Sequence, residues 1–201
     1  MEIKKLILTL LFILFWSHNS YSKDLFHYVA KKDPPKLIVG HEGFNNALND
    51  EINDLSIYLG IGKGDKPIYS SFNQLLINSD VDGEIEFNDK NYFIVSGCRP
   101  RSCPEKGYLW VDKKNKIILG AMIHYFFDNK KDTDNGYLLI ISKKFKSFNE
   151  LPKKFNKDLD KWLSKLTTWD YVNNNGDKPL KPSVIRFINS ENKIKLLKEY
   201  K

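Results

Sequence analysis

Cysteine is scarce in this chain: Cys98 and Cys103 are the only two among 201 residues. That excludes a scaffold held by several bridges. It also leaves Cys-x4-Cys as at most half of a metal site, with His124 alone downstream. Catalytic signatures are missing too. His41-Glu42 is followed by Gly43-Phe44, so no H-E-x-x-H exists, and no G-x-S-x-G occurs. If the cysteines pair, no thiol remains as a nucleophile. The Asp and Glu residues are scattered, and no pair stands out as a glycosidase couple. We expect no catalytic residues, no metal site and no cofactor. No internal repeat is visible. The apolar stretch Leu6–Trp16 has eleven residues, against about 20 for a membrane-spanning helix.

What is present begins at the N-terminus. Lys4-Lys5 precedes that short apolar stretch, and Ser20-Tyr21-Ser22 places small residues where a signal peptidase reads them. Residues 1–22 therefore read as a signal peptide cleaved after Ser22. An uncleaved anchor helix is the competing reading, and eleven residues are short for it. No cysteine follows the apolar stretch, which argues against a lipoprotein anchor. Export implies an oxidising space, where a disulfide persists. The two cysteines fit one bridge, Cys98–Cys103, with no thiol left over.

The segment Cys98-Arg99-Pro100-Arg101-Ser102-Cys103 lies between two strand-like runs, Asn91–Ser96 and Gly107–Asp112. Oxidised, it forms a small stiff loop carrying two arginines. The ring is short, so the bridge contributes only about 2 kcal/mol by loop entropy. Its larger effect is local, since a tip held in one shape loses less entropy on binding. We read this loop as a probe inserted into another protein.

Charge limits the partners. Lys4, Lys5 and Glu2 give the signal +1 of the chain's +7, leaving +6 on the mature part. That favours anionic lipid, wall polymer, nucleic acid or an acidic protein, and export argues against nucleic acid. The lysines are spread along the chain, which reads as a solvated basic surface.

The rest of the chain predicts an α+β domain. Pro34-Pro35 disfavours helix near the start. Phe44, Leu48, Ile52 and Leu55 give one apolar face of a helix over 42–59. Gly60, Gly62 and Gly64 read as a flexible connection, not a phosphate cradle. Residues 70–78 suit a short helix or a strand. Five strand-like runs follow, at 83–87, 91–96, 107–112, 117–126 and 136–141, joined by short polar turns. They predict an antiparallel five-stranded meander covered by the early helix. Leu151, Phe155, Leu159, Trp162, Leu163 and Leu166 predict a lysine-edged helix over 151–167. Such a helix can lie on a membrane; packing on its own sheet is the favoured reading. Residues 184–188 suit a strand and 194–200 a terminal helical turn. The expected organisation is a signal over 1–22, an α+β domain over 23–145, and a helical C-terminal extension over 146–201 packed on that domain.

The order of features, with Cys-x-Pro-x-x-Cys between the second and third strands of a meander, resembles the inhibitor of vertebrate lysozyme (Ivy) family. The residues carrying the likeness are Tyr92–Cys103 and Gly107–Tyr125, within a span of about 42–142. Cys98, Pro100 and Cys103 match the family's loop, and Arg99 matches a basic or polar position. Arg101 stands where the family has histidine, and Ser102 where it has an acid or amide. The resemblance implies a periplasmic inhibitor whose loop of Cys98, Arg99, Pro100, Arg101, Ser102 and Cys103 enters the cleft of a lysozyme-like muramidase or lytic transglycosylase. An arginine suits that cleft chemically, because a guanidinium bonds carboxylates through two parallel contacts. The competing readings are an immunity protein against one muramidase toxin, and a wall- or lipid-binding module. A homodimer is also compatible with the sequence.

Overall fold

The structure is a computed structural model that describes residues 24–52, 55–57, 65–77, 85–100, 102–127, 130–131, 136–170 and 176–199. The expected signal peptide and the glycine-rich connection at 60–64 lie outside these residues.

The helices are α1 (Pro35–Val39), α2 (Glu42–Glu51), α3 (Ile68–Ile77) and α4 (Lys153–Leu163). The strands are β1 (Ser56–Ile57), β2 (Lys66–Pro67), β3 (Glu86–Asn88), β4 (Tyr92–Arg99), β5 (Ser102–Asp112), β6 (Ile117–His124), β7 (Phe126–Phe127), β8 (Lys130–Lys131), β9 (Tyr137–Ile141), β10 (Thr167–Asp170), β11 (Gly176–Pro179), β12 (Val184–Ile188) and β13 (Ile194–Glu199). Seven of them form one sheet in the order β13-β12-β9-β6-β5-β4-β3, and the others make three two-stranded ribbons.

The fold is α+β, and the antiparallel meander β3-β4-β5-β6-β9 is present. The five-stranded expectation is corrected to seven. The C-terminal segment is not purely helical: it supplies α4 and also β10 to β13. β12 pairs parallel with β9, from Val184↔Tyr137 to Ile188↔Ile141. Parallel neighbours need a crossover connection, and residues 142–183, which carry α4, provide it.

That topology covers both faces of the sheet. On one face, Val95, Leu109, Val111, Met122 and Leu139 pack against Phe44, Leu48, Phe72, Leu75 and Leu76 of α2 and α3. On the other, Tyr108, Trp110, Leu119, Ile123 and Phe187 pack against Phe155, Leu159 and Trp162 of α4. Successive strand residues serve opposite cores, as the pleat requires. All eight residues of β6 are buried, which explains its nearly continuous apolar run. The fully buried Trp110 donates its indole N–H to Asp158 Oδ2 at 3.0 Å, tying α4 to the sheet. The α4 stripe is thus spent on the protein's own core.

Three local expectations change. The helix expected over 42–59 ends at Glu51, where Ile52 is extended. Asn49, Asp50, Asn53 and Asp54 crowd that region, and such side chains compete for backbone hydrogen bonds. A short helix does form at the Pro-Pro pair, with Pro35 in its first turn, where a missing N–H costs nothing. Residues 194–199 are a strand: Asn192 adopts φ 57° and the Asn189 side chain accepts from the N–H groups of Glu191 and Lys193, turning the chain back onto β12.

The tightest helix–sheet approach is at Gly107, where an added Cβ would lie 2.7 Å from Leu75 Cβ. We expect Gly107→Ala to destabilise the fold by about 1–3 kcal/mol through overpacking. A lower urea midpoint with an unchanged slope is the expected signature; an unshifted midpoint would show that α3 can move away freely.

Candidate functional site

The cysteine loop is the end of the β4–β5 hairpin. Arg99 pairs with Ser102, leaving two positions between the strands. Pro100 is exposed, and Arg101 lies outside the described residues. The register then jumps: Cys98 faces Lys106, so Cys103, Pro104 and Glu105 bulge from β5. Proline has no N–H to give the ladder, which suits Pro104 to a bulge. The expected disulfide Cys98–Cys103 is formed, with its Cα atoms 4.8 Å apart, and spans the bulge. A bridge of this kind fits an oxidising compartment. No helix among the described residues is long and apolar enough to cross a membrane.

The base of the hairpin is held against the rest of the fold. Cys98, Glu105 and Lys106 are buried, Cys103 is half-buried, and Pro100 and Pro104 are exposed. α3 lies over the base, seated on Gly107, which pairs with Gly97.

Arg99 does not supply charge at the rim. Its Nη1 lies 2.5 Å from Glu105 Oε2, with side-chain exposures of 16% and 9%. Burial pushes the Glu105 carboxyl above its usual range, and the Arg99 guanidinium opposes that rise. The pair locks the hairpin base across the bulge. Nothing in the sequence marks Glu105 as the partner, because the bulge register decides it.

His124 sits in β6, 1% exposed, its ring 5.6 Å from that of Tyr137, as a structural residue of the sheet. The other two histidines expected in the mature chain come together. His27 and His41 line a cleft of about 380 Å³ with Tyr28, Lys31, Asp33 and Glu42. Burial raises the Tyr28 phenol, and its hydroxyl packs where a Gly43 Cβ would lie 2.8 Å away. Sequence reading missed this grouping, since the two histidines belong to separate helical turns. Among the described residues, no three His, Cys, Asp or Glu side chains are placed to hold a metal ion.

The Arg99–Glu105 pair makes a pH-dependent prediction. Glu105 has a raised folded-state pKa, so its contribution to stability is fully present below its unfolded value near 4.5 and is lost as pH rises through the folded value. Arg99→Met would leave a buried carboxylate alone, costing about 3–5 kcal/mol at neutral pH and less below pH 4.5, where the carboxyl is protonated. Arg99→Met with Glu105→Leu should recover most of the loss. Urea unfolding at neutral and acid pH checks this; a pH-independent loss would remove the pair from the account.

No protein-family model, no curated protein and no solved structure matches this chain.

Proposed function

We propose that this protein is a periplasmic inhibitor of lysozyme-like, peptidoglycan-cleaving glycosidases, which it engages through the Cys98–Cys103 hairpin turn. The observation that carries the reading is a disulfide-closed turn with an exposed proline at the end of a two-sided core. Such a turn is organised before binding, so little ordering entropy is lost on contact. Its Cys-x-Pro-x-x-Cys sequence is the basis of the likeness to the Ivy family. Arg101 is the candidate contact for the paired carboxyl groups of a muramidase cleft. A guanidinium is charged at every relevant pH and binds carboxylates bidentately.

The target chemistry follows from charge. A mature chain of about +6 repels strongly basic lysozymes at long range and attracts acidic or neutral ones. A bacterial muramidase or lytic transglycosylase therefore suits it better than a basic animal lysozyme. An immunity role is the same chemistry with one dedicated target. Because Arg99 is paired with Glu105, Arg101 is the loop arginine to which this account assigns the cleft contact.

Lysis of cell-wall suspensions by a panel of muramidases and lytic transglycosylases tests the proposal. At least one enzyme should be inhibited. Arg101→Ala, and Cys98→Ser with Cys103→Ser, should each weaken that inhibition by at least about tenfold, with circular dichroism confirming the fold. Inhibition unchanged in both variants, or absent across the panel, would overturn the reading.

A further inference from the structure

Four turns that are distant in sequence meet at the end of the sheet opposite the disulfide hairpin. They join β3 to β4, join β5 to β6, follow β9, and join β12 to β13. Printed on the chain they look unrelated; in the fold they touch. Lys113 N donates to Asn91 O at 2.8 Å. Lys144 Nζ donates to the carbonyls of Asn115 and Lys116. Ser190 N donates to Phe145 O at 2.9 Å, and Lys195 Nζ to Lys146 O at 3.1 Å.

Each turn contributes exposed lysine: Lys90 from the first, Lys113 and Lys114 from the second, Lys144 and Lys146 from the third, Lys193 from the fourth. The acids of these turns are used locally. Asp89 Oδ1 accepts the N–H groups of Asn91 and Tyr92. Asp112, 2% exposed, accepts from the backbone and side chain of Asn115. Glu191 is taken by Lys146 and Lys193, and Glu150 accepts the Lys146 N–H. Lys90, Lys113 and Lys114 have no acidic partner among the described residues. The six exposed lysines outnumber these four acids, so the face carries a net positive charge.

The face is broad. It runs from β4 to β13 across six adjacent strands, roughly 24 Å at the usual strand spacing. We propose that this end of the sheet is a peripheral docking surface for an anionic phospholipid bilayer. A wide, net-positive, lysine-rich face complements a plane of phosphate headgroups. The disulfide places the chain in an oxidising space, which disfavours nucleic acid as the polyanion. Attachment through exposed lysines is electrostatic and therefore reversible by salt. β4 runs its whole length between this face and the hairpin, so a docked molecule turns Cys98–Cys103 away from the lipid. The surface differs from α4, whose apolar stripe is buried.

Co-sedimentation of the purified protein with vesicles tests this independently of the inhibitor reading. It should pellet with phosphatidylcholine vesicles containing phosphatidylglycerol, not with pure phosphatidylcholine, and high salt should release it. Lys90→Gln, Lys113→Gln and Lys114→Gln together should weaken binding about a hundredfold. The same charge change at Lys157 and Lys161 on α4 and at Lys165 just beyond it should weaken it far less, and hairpin variants should not alter it. Equal losses from the two triple variants, no binding to the anionic vesicles, or tighter binding to single-stranded DNA than to vesicles would overturn the proposal.

Discussion

The structure depends on one constraint: the middle strands of the sheet are apolar on both faces. Leu109 and Val111 of β5 alternate with Tyr108 and Trp110, and both sets are fully buried. A strand of this kind cannot leave either side to water, because each large apolar side chain left exposed forgoes roughly 1.5–3 kcal/mol. Helices must therefore arrive on both sides. The chain before the meander provides α1 to α3 for one face. For the other, the chain must leave β9, cross the second face as α4, and return beside β9 as the parallel strand β12.

This constraint shapes the hairpin. Gly107 lets α3 settle on its base, and the bulge from Cys103 to Glu105 brings a carboxylate back to Arg99. Disulfide, ion pair and helix act on the same few residues by different physical means. The bridge restricts the chain, the ion pair sets two opposite charges against each other, and the helix excludes water. Together they leave a short turn as the accessible part, at one end of a sheet whose other end gathers lysine.

Much of the site was legible early because its signals are local. Two closely spaced cysteines, a proline between them and alternating apolar runs on either side define a bridged hairpin by spacing alone. The α4 stripe was equally plain, with Phe155, Leu159 and Trp162 at helical spacing. The role of Arg99 was not legible. Its partner, Glu105, lies in the bulge left where the ladder slips between Cys98 and Arg99, and nothing in the residue order announces a slip. The cleft between His27 and His41 was hidden for a similar reason, since it arises where separate turns pack.

By itself, the amino-acid order determined the α+β class, the meander and the Cys98–Cys103 pairing, because each rests on periodicity or spacing within a few residues. Tertiary structure alone decided that residues 184–188 lie parallel to β9, that 194–199 extend as β13 instead of coiling, and that scattered lysines share one end of the sheet. Those outcomes come from contacts between segments tens of residues apart. Their energies depend on which surfaces remain uncovered once the local elements have formed.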